Sequence, residues 1–87
     1  MRERSMHIIS SAVVSVRSER MDEVVAALSA HPDTEVRAAG NNKIVIILEG
    51  GSRGAVGRRL TEIALMDGVI AANMVFEHVE EDEEVQI

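Results

Sequence analysis

These 87 residues contain no cysteine, no tryptophan and no tyrosine, and only one phenylalanine, Phe76, and one proline, Pro32. Each scarcity excludes something. Without cysteine there is no disulfide, no thiolate nucleophile and no cysteine-held metal, a composition suited to a reducing cytosol. With a single aromatic, the core has to be built from Val, Ile, Leu, Met and Ala. Stacking nucleobases on aromatic side chains is ruled out by the same shortage. Long apolar runs are missing too: "KIVIILEG" falls far short of a bilayer's thickness, and "MRERSM" is not followed by an export-type hydrophobic segment. The expectation is a cytoplasmic protein with no membrane insertion. Positive charge is also in short supply. The net charge of −6 disfavours a nucleic-acid partner and favours a basic one.

What is present is a regular alternation of short elements. Met6 to Val16 has the length and β-branched content of a strand. "SERMDEVVAALSAHPD" carries helix signals, with Ser18 as N-cap and Glu19, Asp22 and Glu23 near the positive end of the dipole. Met21, Val24, Val25 and Leu28 form its apolar stripe, and Pro32 stops it. Thr34 to Ala38 and Lys43 to Glu49 read as a hairpin around "GNN", whose residues tolerate positive φ. Gly50 and Gly51 break the second of these strands, and Ser52 caps a helix with the stripe Val56, Leu60, Ile63 and Ala64. A last strand opens after Asp67-Gly68 and ends near His78, before the charge run "EEDEEVQI".

The order strand, helix, strand, strand, helix, strand contains two βαβ halves. Right-handed crossovers put both helices on one face of a single sheet. The expected fold is α+β and ferredoxin-like, a four-stranded antiparallel sheet in the order 4-1-3-2. The expected division is a flexible start at 1–6, the domain at 7–78 and an acidic disordered tail at 79–87. Alternation then sorts the faces. Ala12, Val14, Val16, Val36, Ala38, Ile44, Ile46, Leu48, Ala72, Met74 and Phe76 are assigned to the helix side, and Ser10 to the same side near a strand end that keeps its hydroxyl bonded. The face without helices then carries Ile9, Ser11, Val13, Ser15, Glu35, Arg37, Lys43, Val45, Ile47, Glu49, Ala71, Asn73, Val75 and Glu77. An aliphatic centre with hydroxyls and an amide, rimmed by charge, suits a bound peptide. A half-wet sheet face would read the same way, because β-branched residues also stabilise exposed strands.

Other constellations offer little chemistry. His7, His31 and His78 have no metal-ligand spacing, so no metal is expected. Arg17, Arg20 and Asn41 do not make a phosphate cradle, because "VRSERMD" has no glycine and two acids. No nucleophile, base and orienter occur together, so neither enzyme activity nor a cofactor is expected. A regulatory domain sensing a small molecule at a dimer edge stays open as the alternative.

Several motifs together resemble one known family. "SAVVSVRSERMDEVVAALSAHPDTEV", "KIVIILE" and "DGVIAANMVFEHVEE" are similar to the NapD family, cytoplasmic chaperones of the periplasmic nitrate reductase. The shared pattern is Ser-x-Val-Val, Ser-Glu-Arg entering the helix, Pro and then Glu-Val, a hydrophobic strand ending in an acid, and Gly-Val opening the last strand. The match runs from about Ser10 to Glu81. The resemblance implies a non-enzymatic protein that binds the twin-arginine signal peptide of the molybdenum-containing catalytic subunit. It also implies that export is held back until the cofactor is inserted. Its peptide would lie on Ile9, Ser11, Val13, Ser15, Val45, Ile47, Asn73 and Val75, with its arginines set against Glu35 or Glu49.

Overall fold

A computed structural model describes residues 4–83, with side chains from Met6 to Glu80. The chain forms β1 (Arg4–Val16), a short 3₁₀ turn (Ser18–Arg20), α1 (Met21–Ser29), β2 (Thr34–Gly40), β3 (Lys43–Gly50), α2 (Arg53–Ala64) and β4 (Val69–Glu83). All strand pairs are antiparallel, and the order across the sheet is β2-β3-β1-β4. Read from the other edge, this is the expected 4-1-3-2 ferredoxin-like sheet. Pairing reaches beyond the expected 7–78 domain, because β1 begins at Arg4 and β4 continues opposite it to Glu83. The first part of the charge run is strand and not tail, its backbone pairing along β1 as far as Glu83. Residues 1–3 and 84–87 of the expected start and tail lie outside the described residues.

The local chemistry explains the elements. Asn41 and Asn42 both take positive φ, 52° and 64°, which lets a two-residue turn join β2 to β3 with the twist that strands prefer. The Ser52 hydroxyl accepts a hydrogen bond from the Ala55 amide at 3.0 Å and so starts α2 at Arg53. Ser18 does not cap in the expected way. It opens the 3₁₀ turn, and α1 starts at Met21 with no side-chain cap. Asp22 and Glu23 still sit in its first turn.

One aliphatic core lies between sheet and helices: Ile8, Ala12, Val14 and Val16 of β1, Ile44, Ile46 and Leu48 of β3, Val24 and Leu28 of α1, and Val56 and Ile63 of α2. Each is essentially without solvent contact, so the apolar area removed from water is the main stabilising term. Ser10 is buried among them, and its hydroxyl has no hydrogen-bond partner among the described residues. The expected strand-end bond is missing because Ser10 lies well inside β1, which starts six residues earlier. A buried unpaired hydroxyl costs stability. Ser10→Ala is therefore expected to leave stability unchanged or raise it by up to about 1 kcal/mol in urea denaturation. A loss would show that the hydroxyl is bonded.

The loops on either side of the core are tied together. The Arg20 guanidinium donates to the Asp67 carboxylate at 2.8 Å and to Glu23 at 3.0 Å, and the Arg17 amide donates to the Gly68 carbonyl at 3.0 Å. The Arg20 hydrogen bond holds the Asp67 carboxyl below the usual carboxylate range. A depressed acid stabilises the fold above its unfolded-state value, and that contribution disappears as pH falls through the folded value. Asp67→Asn should therefore be less stable than the parent at pH 7. The difference should shrink as pH falls through the parent's depressed folded-state value, where its carboxylate becomes protonated too. Urea titrations at pH 7 and along a descending acid series read this out.

Candidate functional site

Neither helix covers the second face of the sheet. Register defines that face row by row. Glu80 and His7 face each other at one end, followed by His78, Ile9 and Glu49. Next come Phe76, Ser11, Ile47 and Glu35, then Asn73, Val13, Val45 and Ala38, and finally Ala71, Ser15 and Lys43. Every position expected on this face in β1 and β3 is there: Ile9, Ser11, Val13, Ser15, Val45, Ile47 and Glu49 all alternate with buried neighbours. Glu35 and Asn73 lie on it as well.

Two bulges correct the remaining assignments. In β4, Met74 pairs with Ala12 but Phe76 pairs with Ser11, so Val75 is an extra residue and the faces exchange after it. Phe76 therefore leaves the expected core for the open face, where it is 60% exposed. Glu77 makes the opposite move, to the helix side, where Arg53 of α2 pairs with it at 3.1 Å. Val75 remains 66% exposed at the edge of the sheet, and Met74, expected in the core, is 39% exposed on the edge strand. In β2, Val36 pairs with Ile46 and Ala38 with Val45, so Arg37 is the extra residue and Ala38 shares the open face with Val45. The adjacent apolar pair Val75-Phe76 was the one sign of the β4 bulge. Strict alternation allows only one of the two on a given face.

The face is graded along its length. At one end the imidazole of His7 lies 2.8 Å from Glu49 and 3.6 Å from Glu80, and His78 lies 3.7 Å from Glu80. At the other end Lys43 donates to the Ser15 hydroxyl at 3.4 Å. The middle is apolar, with Ile9, Val13, Val45, Ile47 and Phe76 grouped around Ser11. Glu35 at the β2 rim is already held by Arg37 at 2.8 Å. Two histidines and two acids at one end were not foreseen, because His7 and His78 lie at opposite ends of the chain and only the β1–β4 pairing brings them together.

Little else is organised for chemistry. No group of His, Cys, Asp and Glu able to hold a metal ion occurs among the described residues. A shallow depression of about 280 Å³ at the β3–α2 turn mixes Asp33, Glu49 and Glu62 with His31, Arg58 and Arg59. None of the described helices is long and apolar enough to cross a membrane.

Fold and face together define a class, a ferredoxin-like domain with both helices on one side of its sheet and the other side uncovered. The family follows from comparison with known proteins. The NapD protein family model matches residues 6–81. The chain is similar to chaperone NapD of Paracoccus pantotrophus, 41% identical over 76 residues that make up 87% of this chain and 67% of that one. The solution structure of the E. coli Tat proofreading chaperone protein NapD shares the fold at a TM-score of 0.76, with 22% identity over 80% of this chain and 76% of that one. This chain belongs to the NapD family of chaperones.

Proposed function

We propose that this protein binds the twin-arginine signal peptide of the molybdenum-containing catalytic subunit of periplasmic nitrate reductase on its open sheet face. Binding in the cytoplasm would hold back export until the cofactor is in place. The observation that carries the reading is the pairing of an exposed aliphatic and aromatic centre with two acids, Glu49 and Glu80, at one end. A twin-arginine leader is a guest of matching chemistry: a pair of guanidinium groups followed by an apolar segment. Apolar side chains gain about 25 cal/mol per Å² when Val45, Ile47 and Phe76 cover them. Carboxylates accept the planar guanidinium fork in a way that lysine does not reproduce. The hydroxyls of Ser11 and Ser15 and the amide of Asn73 offer orienting hydrogen bonds between those regions.

The role is that of a binding protein, and it assigns the chain no catalytic step and no cofactor of its own. Names of relatives support it: one is a chaperone, and another is a proofreading chaperone of the Tat system. Isothermal titration with a synthetic leader peptide tests it. Saturable binding at micromolar concentration or tighter is expected, about −8 kcal/mol or more favourable. Exchanging the arginine pair for alanine should weaken it at least tenfold. Absence of saturable heat, with peptide and fold verified, would overturn the proposal.

A further inference from the structure

The open face is not symmetric end to end, and this asymmetry gives a bound leader one direction. Resting on the reading of the face as the leader's docking surface, we infer that the arginine pair binds at the Glu49–Glu80 end and that the apolar segment runs toward Lys43. The peptide's N-to-C direction is then parallel to β1.

Three observations carry this. First, the acids at the two candidate positions are not equivalent. Glu35 is occupied by Arg37 at 2.8 Å, and a leader arginine would have to displace a guanidinium of equal quality. Glu49 and Glu80 instead contact the imidazoles of His7 and His78. An imidazole is a weaker competitor than a guanidinium, because it sets a single ring nitrogen on the carboxylate where a guanidinium offers a two-pronged fork. Second, the far end carries Lys43, which would repel an arginine pair in the reversed pose. Third, the lengths agree. From His7 to Ser15 the strand rises through eight residues, about 26 Å at 3.3 Å each. A helix of about 17 residues, at 1.5 Å each, spans the same distance, enough for an arginine pair and the apolar run behind it. A helical guest in this direction also sets the positive end of its own dipole beside Glu49 and Glu80, an additional favourable interaction.

His7 has a specific part in this arrangement. It hydrogen-bonds Glu49 in the free protein and must release that carboxylate when an arginine arrives. It therefore acts as a placeholder, keeping the acid oriented along the face until the peptide is bound.

The test uses the absence of cysteine from the chain. A synthetic leader peptide carries one cysteine-linked nitroxide, placed either just before the arginine pair or just after the apolar segment. Each is bound to isotope-labelled protein, and loss of amide signal maps the label. The first label is expected to quench residues around His7, Ile9 and His78, and the second those around Ser15, Ala71 and Asn73. In titrations, the double variant Glu49→Gln, Glu80→Gln should bind at least tenfold more weakly, while Lys43→Gln should bind equally well or better. An exchanged quenching pattern, or equal quenching at both ends, would overturn the direction and leave the docking face standing. Specific binding that quenches only the helix side would overturn both.

Discussion

Replacing Ile47 with glutamate should abolish leader binding, weakening it by at least a hundredfold, with the fold retained. Ile47 occupies the middle of the open face, between Ser11 on β1 and Glu35 on β2. In the free protein it is only half-buried, so a glutamate there keeps its hydration. It would lie directly opposite Glu35, and like charges across a strand pair cost up to about 1 kcal/mol. A docked peptide changes that balance. The variant loses the burial of an isoleucine, about 2 kcal/mol, and must also desolvate a carboxylate under an apolar segment. A hundredfold weakening corresponds to about 2.7 kcal/mol, which the first loss nearly supplies alone. The neighbouring substitution Ile46→Glu is the control, because Ile46 is fully buried on the other face and its replacement should unfold the protein. Circular dichroism and titration of both variants separate the two faces. If Ile47→Glu unfolds, or binds as well as the parent, Ile47 does not act as assigned.

The second large effect concerns stability. Gly68→Ala should destabilise the fold by about 3 kcal/mol in urea denaturation. Gly68 is buried and has φ +92°, a region that L side chains rarely adopt. A methyl group there would stand 2.8 Å from the Arg20 Cβ and 3.2 Å from the Val24 Cγ2. Neither neighbour retreats easily, since Val24 belongs to the core and Arg20 is anchored on Asp67 and Glu23. Backbone strain of about 1–2 kcal/mol adds to an overpacking cost of about 1–3. The slope of the denaturation curve should stay unchanged. A loss below 1 kcal/mol would mean that the turn from α2 into β4 rearranges around the methyl group.

How far the sequence could be read depended on how regular each strand is. β1 and β3 pair with each other residue by residue, so alternation alone placed Ile9, Ser11, Val13, Ser15, Val45, Ile47 and Glu49 on their proper face. The helices were legible because Val24, Leu28, Val56 and Ile63 recur at a helix's own period. Edge strands behave otherwise. β2 accommodates one extra residue, Arg37, and β4 two, Ile70 and Val75, since only one side of an edge strand is held by hydrogen bonds to a neighbour. Beyond Val75 the alternation reverses, so strict alternation puts Phe76 and Glu77 on each other's faces. The end group of His7, His78, Glu49 and Glu80 was also beyond reach. It comes from pairings more than forty residues apart, which depend on a register that the bulge resets.

The bulge at Val75 has a functional consequence under this account. It brings the chain's one aromatic side chain to the surface where a peptide would lie, and exchanges it for a glutamate that Arg53 neutralises on the helix side. Buried aromatics commonly anchor interfaces, so Phe76 adds to the apolar centre that the central strands begin.

The most direct test of the open face as the docking surface is an amide-shift map of the isotope-labelled protein titrated with a twin-arginine leader peptide. The shifts are expected to concentrate on Ile9 to Ser15 of β1, Val45 to Glu49 of β3 and Asn73 to Glu80 of β4, with α1 and α2 largely unmoved. Shifts concentrated on the helices, with the sheet unmoved, would contradict it.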